Sequence, residues 1–206
     1  MTDELALFLK HCREDIYPEP DNEGSRQLIQ RQWREFLNQC RDLPLPANIL
    51  DLGCGNGESL RLMRAAGHFP TGLTANPVEF ESLIGEGFAI SCVDMHEAEF
   101  EPGYFHAIWA RHILEHSPIP YFMLAKINRA LCIGGYLYVE VPCPATDSRH
   151  EQNRQHFSVL GWEMWHALFC RSGFRSLSSR SIPICTEGGW NDRYWEFCLQ
   201  KVTERG

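Results

Sequence analysis

Apolar positions recur at helical spacing over residues 3–15 and 25–41, which predicts two amphipathic helices at the start of the chain. The next apolar run, 47–52, is short and reads as a buried strand. Residues 58–66 return to helical spacing, and Gly67 is a natural stop. A second strand is expected over 69–73. Asn76-Pro77-Val78-Glu79 then looks like a helix start, with Asn as cap, Pro at the first position and Glu reaching back. Strands are expected over 88–93 and 106–110, and a helix over 121–131 that stops near Gly134-Gly135. Residues 136–141 alternate aromatic and β-branched side chains up to Pro142, as a strand would. A polar loop over 144–155, a helix over 160–171 and strands over 174–181 and 194–201 complete the chain. Gly188-Gly189 between the last two strands suits an antiparallel finish. Strand and helix alternate through the first 140 residues, which predicts a mostly parallel sheet with helices on both faces. The expectation is one domain over 1–206, with 1–45 as an N-terminal helical cap.

The 206 residues are enough for one sizeable core. A formal net charge of −8 speaks against a protein that grips phosphate backbones, which needs a positive field, so no nucleic-acid partner is expected. No apolar stretch approaches the roughly 20 residues of a membrane span, and no secretory signal opens the chain. The 9 cysteines are odd in number and scattered, without a CxxC pair. That fits reduced thiols and a cytoplasmic location.

Ile49-Leu50-Asp51-Leu52-Gly53-Cys54-Gly55-Asn56-Gly57-Glu58 carries the most chemistry. An apolar strand runs into Gly-x-Gly-x-Gly and then into a helix. The glycines allow a sharp turn and close approach of a ligand to the backbone. The helix start offers N–H groups to polar ligand atoms. Asp51 before the loop would repel a pyrophosphate and suits a ligand bearing an ammonium and a sulfonium. The segment resembles the first motif of class I S-adenosylmethionine-dependent methyltransferases. Val93-Asp94-Met95, Tyr104 to Ala110, Arg111 to His116, Asn128 to Leu137 and Gly173-Phe174 resemble later motifs of that family, in order. The resemblance implies a Rossmann-like α/β fold: a seven-stranded, mostly parallel sheet with an antiparallel last strand. It implies S-adenosylmethionine as cofactor and S-adenosylhomocysteine as product. It also implies cofactor contacts from Asp51, Gly53, Cys54, Gly55, Asn56, Gly57, Asp94, Met95, Ala110 and Arg111.

The family commonly ends its second strand with an acidic residue that binds the ribose. Here Thr74 stands there, and a hydroxyl lacks the charge assistance. Asn76 is an alternative ribose contact or a helix cap. His112-Ile113-Leu114-Glu115-His116 spells H-x-x-E-H, a zinc-peptidase signature. Its position after the fourth strand matches the methyltransferase order instead, and no metal is expected. His112 is a candidate general base, since an imidazole titrates near working pH. His116 reads as structural. In the polar loop His156 is a second catalytic candidate, and His150 and Arg154 are candidate acceptor contacts.

The expected reaction is methyl transfer to a small-molecule or glycan-linked acceptor, O-methylation favoured over N-methylation or protein methylation. The reading from a different class is a binding module that keeps the cofactor fold in a regulatory role without turnover. The sequence leaves the oligomeric state open.

Overall fold

The structure is a computed structural model, and residues 3–12, 23–185 and 191–203 are described. Seven strands form one sheet in the order β3-β2-β1-β4-β5-β7-β6. They are β1 (Asn48–Leu52), β2 (Phe69–Thr74), β3 (Ala89–Cys92), β4 (Phe105–Arg111), β5 (Leu131–Pro142), β6 (Phe174–Cys185) and β7 (Asn191–Lys201). Neighbours from β3 to β5 pair parallel, and β7 runs antiparallel between β5 and β6. Among the described residues six α-helices accompany them: α1 (Asp3–His11), α2 (Glu23–Gln39), α3 (Glu58–Ala65), α4 (Pro77–Gly85), α5 (Pro120–Ala130) and α6 (Trp162–Arg171). The seven-stranded, mostly parallel sheet with one antiparallel strand agrees with the sequence reading. Residues 13–15 of the first predicted helix and Gly188-Gly189 lie outside the described residues.

Side-chain alternation sorts the core onto two faces. Leu50, Ile108, Leu137 and Val139 pack with Met123 and Ile127 of α5 and Trp165 and Phe169 of α6. Ile49, Trp109 and Tyr138 face the other way, against Trp33 and Phe36 of α2 and Met63 of α3. The Trp109 and Tyr138 rings stack at 3.7 Å, and Trp33 and Phe36 meet Trp109 edge-on. Trp33 is thus core on this face. Its indole is 5% exposed, so its large apolar surface is spent on packing α2 against the sheet.

Two boundaries shift. β5 begins at Leu131, not 136, because Gly134-Gly135 lies inside the strand. A Cβ on Gly135 would sit 2.9 Å from the Cys132 carbonyl and 3.1 Å from that of His106, so glycine there permits close backbone approach. β6 and β7 extend past their predicted ends because they pair from Phe174↔Lys201 to Cys185↔Asn191, with one register shift between Ser176 and Ser178.

Candidate cofactor and acceptor site

β1 lies between β2 and β4, where successive connections run to opposite sides. The carboxyl ends of strands at such a switch point are where ligands bind in open α/β sheets. The glycine loop leaves β1 there. The Leu73 carbonyl accepts the N–H groups of both Gly53 (3.0 Å) and Cys54 (2.8 Å), which fixes the loop to the end of β2. Gly53, Gly55 and Gly57 all have positive φ, at 84°, 48° and 83°. Their surroundings differ. A Cβ on Gly53 would meet Ile113 Cδ1 at 2.8 Å, and one on Gly57 would meet Leu83 Cδ2 at 2.3 Å. A Cβ on Gly55 would meet nothing within 4 Å. Gly53 and Gly57 therefore serve packing, and the open volume over the loop lies at Gly55.

Cys54 points inward, 5% exposed, into a cluster with Leu60, Leu83 and Phe88. Burial, then the charges of Asp51 and Glu79, push its thiol up. Only its backbone is placed to line the loop. Asn56 accepts the Glu58 N–H (3.3 Å), so part of the helix start expected to serve a ligand is engaged within the loop. Asp51 is buried, and the Ser59 hydroxyl donates to its Oδ2.

The end of β2 holds a residue that sequence reasoning assigned only to helix capping. The Thr74 hydroxyl donates to Glu79 Oε2 at 2.6 Å and accepts the Asn76 N–H at 3.0 Å. The single Thr74 proton is thereby used, and the Glu79 carboxylate is held at the end of β2. The signal was present: a glutamate in the first turn of α4, beside a strand that ends on a neutral hydroxyl. Asn76 caps α4, its Oδ1 accepting from the Val78 N–H at 2.9 Å. Across the crevice Asp94 Oδ1 accepts the backbone N–H of His96 (2.8 Å) and its ring Nδ1–H (2.7 Å). Lys126 Nζ donates to the Met95 and His96 carbonyls, tying this segment to α5. Met95 and Ala110 are buried, Ala110 fully, so its side chain belongs to the core.

Acidic groups at Asp51, Glu79 and Asp94 around an open glycine bend suit a ligand carrying an ammonium, a sulfonium, ribose hydroxyls and an adenine amino group. They do not suit a pyrophosphate. The residues present therefore fit S-adenosylmethionine.

Beyond the crevice, β4 ends in a network centred on Glu140 of β5, which is fully buried. Arg111 Nε lies 3.2 Å from Glu140 Oε1, and His112 Nε2–H donates to the same oxygen at 2.7 Å. Gln32 of α2 and the Tyr138 hydroxyl (2.9 Å) donate to Oε2. Burial alone would raise the Glu140 carboxyl, but Arg111, then His112 and Tyr138, hold it below the usual carboxylate range. His112 sits at φ 51°, an uncommon backbone conformation for a residue with a side chain, and its ring stacks on Tyr194 at 4.5 Å.

The loop after β5 folds back over this end. His150 Nε2–H donates to Asp192 (3.0 Å), and its ring stacks on His156 at 5.4 Å. His156 meets His116 edge-on at 4.9 Å. Burial, and then the imidazoles of His116, His150 and His112, push the His156 ring down to about 4. The structure thus brings together His112, His150 and His156, which the sequence proposed separately, and adds His116, Tyr194 and Asp192. Arg154 is exposed and stands outside these ring contacts. The H-x-x-E-H stretch is not a helix presenting two histidines on one face. Its helical part is a single 3-10 turn, Leu114–His116, and His112 turns away toward Glu140.

The model of the methyltransferase domain family matches residues 25–182. The chain belongs to this family. Its cofactor is S-adenosylmethionine. Among curated relatives, the chain is 25% identical over 168 residues to 27-O-demethylrifamycin SV methyltransferase of Amycolatopsis mediterranei (strain S699), covering 72% of this chain and 62% of that protein. It is 33% identical over 86 residues to the 18S rRNA (guanine-N(7))-methyltransferase bud23 of Schizosaccharomyces pombe (strain 972 / ATCC 24843), covering 40% and 32%. The chain thus spans less than two thirds of either relative. Among solved structures, the [4+2]-cyclase SpnF superposes with a TM-score of 0.70 at 20% identity, covering 91% of this chain and 86% of that one. At such identity the likeness concerns the fold. No helix among the described residues of this methyltransferase domain is long and apolar enough to cross a membrane.

Proposed function

We propose that this domain methylates an oxygen of a small-molecule or glycan-linked acceptor, with His112 as the base that takes the acceptor proton. The observation that carries the reading is the His112–Glu140 pair. A carboxylate only accepts, so Nε2 carries the proton toward Glu140, and the ring receives an acceptor proton at Nδ1. The buried Glu140 fixes the tautomer and stabilises the imidazolium that forms, and Tyr194 holds the ring plane. The bound cofactor supplies an electrophilic methyl group on a sulfonium. Asp51 and the Gly55 bend would hold its amino-acid end, Glu79 with Thr74 its ribose, and Asp94 its adenine. His150 and Arg154 of the covering loop are proposed acceptor contacts, and His156 a further candidate for catalysis. The rifamycin relative, named for an O-methylation, supports an oxygen acceptor. The net charge of −8 weighs against an rRNA acceptor like that in the name of the second relative. The buried thiols at Cys40, Cys54, Cys143 and Cys198 support a reducing, cytoplasmic setting.

The test uses radiolabelled S-adenosylmethionine with 27-O-demethylrifamycin SV and a set of hydroxylated aromatics and glycosides. Product from at least one hydroxyl acceptor is expected. His112→Gln should lower kcat by about 10²- to 10⁴-fold, the usual worth of a general base. Its affinity for S-adenosylhomocysteine should be unchanged. Normal turnover by His112→Gln would remove the base. Intact cofactor binding without transfer to any hydroxyl would favour the binding-module reading.

A further inference from the structure

The second half of the H-x-x-E-H stretch acquires a partner from elsewhere. Glu115 and His116 meet His156, which arrives on the loop after β5, and one ligating atom from each lies within 4.8 Å of the others. Glu115 is 2% exposed, and both imidazoles are partly buried.

His116 Nδ1 lies 3.1 Å from the Gln155 carbonyl. A carbonyl only accepts, so Nδ1 carries the proton and Nε2 presents its lone pair. Metal-ligating histidines are characteristically held this way, by a carbonyl or carboxylate on the second nitrogen. The backbone fixes the two segments to each other as well. The Ser158 N–H donates to the Glu115 carbonyl at 2.9 Å, and the Ser158 hydroxyl to the Ser117 carbonyl at 2.6 Å.

We propose that Glu115, His116 and His156 bind one divalent transition-metal ion of zinc type beside the acceptor end of the sheet. Two imidazoles and a carboxylate are the protein ligands of open zinc sites, which keep a fourth position for an outside oxygen. Nitrogen donors favour zinc, cobalt, nickel or copper over magnesium and calcium. Ligands about 2.1 Å from a tetrahedral ion stand about 3.4 Å apart. This reverses the expectation of no metal, which addressed the five-residue signature as a peptidase site. That the open position receives the acceptor oxygen rests on the proposed function; the site itself does not.

The experiment titrates metal-free protein with cobalt(II), without cofactor or acceptor. One ion per chain should bind, with the visible bands of four- or five-coordinate cobalt, and zinc should displace it. His156→Ala and His116→Ala should each weaken binding by more than about 100-fold, since even outer-shell partners are worth 10- to 100-fold. His11→Ala on α1 should leave it unchanged. Copper(II) bound to the unaltered protein should show splitting from two imidazole nitrogens by electron paramagnetic resonance, a readout that needs no variant. Failure to bind one equivalent, unchanged affinity in both variants, or oxygen-only copper coordination would overturn the site. These readouts use neither cofactor nor acceptor, so their failure is distinguishable from failure of the methyl-transfer test, which uses His112.

Discussion

Gly55→Ala separates a ligand cradle from a structural turn. At Gly55 the backbone is left-handed, with φ at 48°, and a new Cβ meets no atom within 4 Å. The folding cost is then the conformational penalty alone, about 1–2 kcal/mol. For a chain of this size that lowers Tm by about 2–8 °C. Gly57→Ala also meets a positive φ, 83°, and drives its Cβ to 2.3 Å from Leu83 Cδ2, inside the core cluster with Leu60 and Phe88. It carries the same penalty plus an overpacking cost of about 1–3 kcal/mol. Ligand affinity should rank the two differently. In Gly55→Ala the methyl group occupies volume assigned to the cofactor, and an overlap of about 1–3 kcal/mol weakens binding by about 5- to 150-fold. Calorimetry with S-adenosylhomocysteine, beside thermal melts by circular dichroism, measures both quantities. Unchanged affinity in a folded Gly55→Ala protein would refute the cradle. A stability loss equal to that of Gly57→Ala would refute the reading of open space.

Glu79→Gln should weaken S-adenosylhomocysteine binding by about 10- to 150-fold, the worth of a charged hydrogen bond of about 1.5–3 kcal/mol. Thr74→Asp in that background should recover part of it, and calorimetry showing no loss in the single variant would return the ribose contact to another residue. Glu140→Ala leaves Arg111 without its buried carboxylate. It should cost about 3–5 kcal/mol in urea unfolding at neutral pH, and a loss below 1 kcal/mol would contradict the central place of Glu140. Because the folded Glu140 carboxyl lies below its ordinary value of 4.5, its stabilisation is complete above that pH and is lost as pH falls through the lower folded value. Melts between pH 6 and 3 should show a flatter acid side for Glu140→Gln than for the unaltered protein.

The parallel half of the fold was legible because each strand is a short apolar run punctuated by glycine or proline. The glycine bend was legible because three alternating glycines between an apolar strand and a helix mark a sharp turn of left-handed backbone. What escaped the sequence depends on which groups meet in the fold. The start of β5 was hidden because Gly134-Gly135 serves as a turn signal and also as a close backbone approach, and only the His106 carbonyl distinguishes them. β6 runs on through Ile182-Pro183-Ile184-Cys185, where the proline reads as a strand end, and β7 begins on the polar Asn191-Asp192-Arg193; both stretches are strand through mutual pairing. Glu79 reads as a capping residue until Thr74 is found spending its proton on it. The meeting of His116 with His156 spans 40 positions and leaves no local trace.

The carbonyl of Leu73, shared by two consecutive amides of the bend, makes the cradle part of the sheet's own ladder. Its shape is set when β1 and β2 associate, before any ligand arrives. Amide hydrogen exchange at Gly53 and Cys54 should therefore be as slow in the ligand-free protein as in the neighbouring strands. Little ordering entropy then remains to be lost on binding, and the affinity of the free chain reports contacts alone.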